Sequence, residues 1–143
     1  GAGMKWNEVP HIFTRRAVAG EPITIQGGQQ QLDFLHVRDA ARLIALLSVR
    51  PYDTWPAVLN CGSGAPVTLS AFAGRFGEVA RDVLGRKPDM EFVPAGDGGP
   101  RIGMRTELAR QLLDWEPTMS LERTLRDLMV EISESERRIT DSP

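Results

Sequence analysis

At 143 residues, 41% of them hydrophobic and 25% charged, the chain can bury one core and is too apolar to be disordered throughout. Its 17 basic and 19 acidic residues leave a formal charge of −2, which supplies no field to draw it onto nucleic acid or anionic lipid. One cysteine, Cys61, excludes an internal disulfide; His11 and His36 lie too far apart for a zinc spacing, and no apolar run nears the ~20 residues that span a bilayer.

Residues 8–19 put Val9, Ile12, Phe13 and Val18 near helical spacing, with Gly20 as the stop. After Pro22, Ile23-Thr24-Ile25 alternates as a strand and Gly27-Gly28 turns the chain, with a second strand expected from Leu32 to Val37. The period then changes: Ala40, Ala41, Leu43, Ile44, Leu46 and Leu47 form a wide apolar helical face that ends near Val49, before Pro51. Asp39 falls in the first turn, where a carboxylate suits the helix dipole. Ala57-Val58-Leu59-Asn60-Cys61 is a continuous run between Pro56 and Gly62, the pattern of a strand covered on both faces.

Thr68 as cap, an apolar stripe from Leu69 to Leu84 and Gly85 as stop agree on a further helix. Met90-Glu91-Phe92-Val93 reads as a strand, and the glycines and prolines of residues 94–103 as a loop. Thr106 starts a helix through Leu113, and Ser120 starts a last one carrying Leu121, Leu125, Leu128, Met129 and Ile132. The charged tail 134–143 is expected to fray. Alternating helices and strands place the chain in the α/β class.

Several strings, in this order, resemble the C-terminal half of the extended short-chain dehydrogenase/reductases, the NAD(P)-dependent epimerases and dehydratases of nucleotide sugars. They are Gly1-Ala2-Gly3-Met4, Val9-Pro10, Gly20-Glu21-Pro22-Ile23-Thr24-Ile25, the run from Asp33 to Arg42, Asn60-Cys61-Gly62-Ser63-Gly64, Val67-Thr68-Leu69, Gly96-Asp97 and Trp115-Glu116-Pro117. The resemblance implies the substrate-binding lobe of a Rossmann-type enzyme over residues 1–133, together with the last strand and helices of its sheet domain.

The cofactor half is missing from these residues. NAD or NADP needs a glycine-rich turn between a first strand and a helix, and the family's catalysis needs a Tyr-x-x-x-Lys pair. Gly96-Asp97-Gly98-Gly99 follows a late strand and leads into Pro100-Arg101, and the only tyrosine, Tyr52, has no lysine after it. No catalytic, cofactor or metal residue is therefore expected, and NAD or NADP would be held by an N-terminal half outside this sequence. The start Gly1–Trp6 has no apolar core of a secretory signal, and with the single thiol this leads us to expect a cytoplasmic protein.

The resemblance lays the Thr24–Gln26 strand along a nucleotide base, with Gln26 where relatives carry an aromatic side chain. It sets Leu32 and Pro94-Ala95 where many relatives use arginines to clamp the diphosphate, which puts a nucleotide substrate in doubt. Arg101, and beside it Arg105, could supply a replacement charge. Thr24, Gln26, Leu32 and Arg101 are thus the expected substrate positions. His36 is read as structural, and Cys61 as an inert core thiol. The expected function is substrate binding within such an enzyme; the alternative is a degenerate, non-catalytic binding or assembly module. The helix after Val37 and the run 57–61 carry more apolar surface than a small lobe covers, so contact with the missing half or self-association is expected.

Overall fold

The computed structural model describes residues 8–96 and 99–141. Helix α1 (Val9–Ala19) begins with Pro10 in its first turn, where a missing N–H costs nothing. It ends at Gly20, φ 73°, after which the Glu21 N–H closes back on the Arg16 carbonyl at 2.8 Å. Strand β1 (Ile23–Gln26) buries Ile23 and Ile25 and exposes Thr24 and Gln26, as a period of two requires. Strand β2 (Gln31–Leu32), helix α2 (Val37–Ser48) and a single 3-10 turn at Tyr52–Thr54 follow.

Strand β3 (Val67–Thr68) pairs antiparallel with β2 and leads into helix α3 (Leu69–Leu84). There the Thr68 hydroxyl accepts the Ala71 N–H, and Gly85 takes the left-handed cap. Strand β4 (Met90–Val93) then lies parallel to β1, with Ile23 opposite Met90 and Gln26 opposite Val93. Helix α4 (Glu107–Leu113) and the long α5 (Leu121–Thr140) complete the chain, the latter capped by the Ser120 hydroxyl.

Two cores hold these elements. In the larger, Phe13 of α1 meets Phe72 and Phe76 of α3 edge to face, at centroid distances of 5.5 and 5.4 Å. Ile23 and Ile25 of β1 and Leu125 and Met129 of α5 close around them. The smaller core gathers Leu43 of α2, Ala109 of α4 and the fully buried Trp115, with Leu59 and Cys61 packed against it.

Three expectations need correction. Residues 57–61 are not a covered strand: Leu59 and Cys61 turn inward, but Ala57, Val58 and Asn60 are exposed, because no described strand lies alongside to pair with them. The strand expected over Leu32–Val37 shrinks to Gln31–Leu32, since only these two residues find partners, in Thr68 and Val67, while His36 caps α2. Helix α5 does not stop near residue 133 but continues to Thr140, with Arg137 and Arg138 in the last turn, where cations suit the dipole. The wide face of α2 is only half covered: Leu43 is buried, whereas Ile44 and Val37 are 64% and 74% exposed. Gly1–Met4 and Asp97 fall outside the described residues.

Candidate functional site

Thr24 and Gln26 sit on one exposed face of β1, and their backbone completes a free edge. The Ile23 N–H bonds to the Asp89 carbonyl and the Gly27 N–H to that of Val93, so the odd-numbered residues face β4. By the strand's alternation the main-chain groups of Thr24 and Gln26 point the other way, where the described residues place no strand. The Gln26 carbonyl alone is taken, by the buried side chain of Gln30 at 2.6 Å. The open edge therefore reads donor, acceptor, donor: Thr24 N–H, Thr24 carbonyl, Gln26 N–H.

The other two expected positions lie beyond the Gly27–Gln30 turn. Leu32 is 2% exposed in the larger core, so its side chain is occupied by packing and offers a ligand nothing polar. Arg101 is exposed and bridges strand-like to Gln31, flanked by Gln31 N–H to the Pro100 carbonyl (3.0 Å) and Ile102 N–H to that of Gln31 (2.8 Å). Arg105 pairs with Glu107 in solvent. Tyr52, in the 3-10 turn, is exposed and lies against Trp55.

Sequence reasoning missed the carboxylates that tie the loops together. One Asp33 oxygen accepts the Ser63 N–H at 2.8 Å and the Ser63 hydroxyl; the other accepts the N–H groups of Gly64 and Met104. Three separate loops thus meet on one side chain. Buried Asp39 does the same for the turn after Trp115, accepting both N–H groups of Thr118 and Met119 at 2.9 Å and the Thr118 hydroxyl at 2.8 Å. Burial pushes its carboxyl up, but those bonds and Arg42 outweigh it and hold Asp39 below the usual carboxylate range. The sequence signal was an acidic residue set in an apolar helix face.

His36 is structural, as read. Its Nδ1 accepts the Arg38 N–H and caps α2, which leaves the proton on Nε2 to be donated to Asp127 of α5 at 3.1 Å. Burial raises the Asp127 carboxyl, and the bonds from His36 and Arg123 more than reverse this. This pair forms one wall of an open groove of about 1070 Å³ between residues 32–38, Ile102 and Met104, and α5. Burial pushes the Cys61 thiol up, with Asp39 adding to it, so little nucleophilic thiolate forms.

A family model, "NAD dependent epimerase/dehydratase family", matches residues 3–62. Among solved structures, MoeE5 in complex with UDP-glucose and NAD matches at 26% identity and TM-score 0.71, over 99% of this chain and 45% of that one. UDP-glucose 4-epimerase from Thermotoga maritima with UDP-glucose matches at 26% and 0.70, over 90% and 40%. An epimerase of Methanothermobacter thermautotrophicus matches at 25% and 0.76, over 94% and 39%. The chain has the epimerase/dehydratase fold, and resembles its C-terminal half. It spans less than half the length of these structures. No curated protein sequence matches it.

An epimerase/dehydratase fold implies NAD(P), but the described residues do not fit a dinucleotide. Among the described residues the one strand ending on paired glycines is β1, and it runs on into β2 rather than into a helix. The Gly28 N–H that a phosphate would need is donated to Gln30 at 2.6 Å. Among the described residues no cluster could hold a metal, and no helix is long and apolar enough to cross a membrane.

Proposed function

We propose that this chain is the substrate-binding part of an NAD(P)-dependent epimerase, dehydratase or reductase acting on a nucleotide sugar or a related small substrate. It does not turn substrate over alone. The observation that carries this is the open edge of β1. Its alternating main-chain donors and acceptor complement a pyrimidine imide, in which an N–H lies between two carbonyl oxygens. Similar structures were solved with UDP-glucose and UDP-glucuronic acid, which supports a uridine nucleotide as the first ligand to try.

The chemistry belongs to a second half that would hold NAD(P) and supply the proton-moving groups. This chain would bind and orient the substrate. Asp33 would keep the 63–64 and 104 loops fixed while it does so. A cytoplasmic setting is part of this reading, supported by the single cysteine.

Titration of UDP-glucose into ¹⁵N-labelled protein tests it. The amide shifts should concentrate at Thr24 and Gln26, and no NADH should form when NAD is added. A spectrum unmoved by millimolar UDP-glucose would remove the base-edge reading. The second reading, a non-catalytic binding or assembly module, is favoured by the burial of Leu32 where a diphosphate would need a cation.

A further inference from the structure

Gln30 has an amide side chain, yet only 3% of the residue is exposed. Burying an amide is costly unless both of its ends are bonded, and here both are. Oε1 accepts the Gly28 N–H and Nε2 donates to the Gln26 carbonyl, each at 2.6 Å. Its own carbonyl accepts the Leu69 N–H at 2.8 Å, at the start of α3.

The turn is built around this side chain. Gly27 (φ 79°) and Gly28 (φ 144°) adopt conformations that other residues rarely hold. A Cβ on Gly27 would stand 2.8 Å from the Gln30 Nε2, and one on Gly99 would overlap the Gln30 Cγ. Gln30 thus sits among β1, the α3 start and the loop at Gly99, and two glycines, Gly27 and Gly99, leave room for it.

Resting on the function proposed above, we propose that Gln30 is a positioning residue for the β1 edge. Its amide fixes Gln26 at the strand end and withdraws the Gln26 carbonyl from the edge. What remains for a ligand is the Thr24 main chain and the Gln26 N–H. Gln30 touches no substrate in this arrangement; it acts through Gln26.

Two variants of the whole chain test this, with UDP-glucose as probe and amide exchange as a ligand-independent readout. In Gln30→Leu both bonds vanish: the Gly28 amide should exchange quickly, and UDP-glucose should bind about tenfold more weakly. In Gln30→Glu the protonated acid still donates to the Gln26 carbonyl, whereas the carboxylate repels it. Binding by that variant should fall as pH rises, while binding by the wild type stays flat over the same range. A turn filler of merely the right volume would give no such pH profile. The Glu variant also carries the test if the Leu variant fails to fold.

Wild-type affinity in both variants at every pH would overturn the proposal. If the wild type itself binds no UDP-glucose, the functional reading fails separately. Gln30 is then judged by exchange alone: a Gly28 amide slow in the wild type and in Gln30→Glu, which keeps the acceptor oxygen, and fast in Gln30→Leu supports it, and equal rates in all three overturn it.

Discussion

Asp39 shows how much one carboxylate can organise. Its Oδ2 accepts the N–H groups of both Thr118 and Met119, its own main-chain carbonyl accepts the Trp115 indole N–H at 3.1 Å, and Arg42 lies 5.6 Å from the Trp115 ring centroid. Asp39→Ala orphans two main-chain donors in a partly buried turn, and leaving each unbonded costs roughly 1–3 kcal/mol. Urea unfolding should show a loss of about 3 kcal/mol, with a smaller loss for Asp39→Asn, which keeps one acceptor oxygen. The pH dependence has a definite sign. Because the folded-state pKa lies below that of the unfolded chain, the contribution is fully present above about pH 4 and disappears as pH falls through the lower, folded value. Wild-type stability should therefore drop below about pH 4, and Asp39→Asn should lose part of that dependence. Parallel acid-unfolding curves for the two proteins would contradict this.

At the scale of elements, helix α3 was the most legible, because its signals are local. Thr68, the apolar stripe and Gly85 agreed, and the cap bond to the Ala71 N–H forms at 3.1 Å. Thr68→Ala should cost about 1 kcal/mol in thermal or urea unfolding, whereas Thr68→Asn should be close to neutral. A loss under a few tenths from the Ala variant would mean the helix start is held by tertiary contacts alone. What could not be read locally was anything that needs a partner far along the chain. The run 57–61 has the composition of a covered strand but no strand beside it, so composition named an element that pairing does not complete. The end of α5 failed for the opposite reason: its polar last turns looked unstable alone, yet α5 packs along both α1 and α3. The site divides the same way. The exposed strand face that carries Thr24 and Gln26 was legible from alternation, whereas their part in substrate binding came only from the resemblance, and the contacts of Gln30 and Asp33 depend on loops brought together only by folding.

The molecule as a whole has a strong core and a weak one. The larger closes on itself, with Phe72, Phe76 and Met129 fully buried. The smaller rests on Leu43, Ala109 and Trp115, and beside it Val37, Ile44 and Val58 are 74%, 64% and 72% exposed. An apolar helix face next to a run that no described strand pairs with is the combination that adds strands and recruits partners. The isolated chain should therefore associate as concentration rises in sedimentation, and should bind a hydrophobic dye. Ile44→Glu combined with Val58→Lys should abolish both. Because both side chains already face solvent, the same pair should change the unfolding free energy by no more than about 0.5 kcal/mol each. That separation between association and stability distinguishes an uncovered surface from a damaged core. A wild-type chain that remains a dye-negative monomer at high concentration would contradict the reading of this exposed face as an association surface.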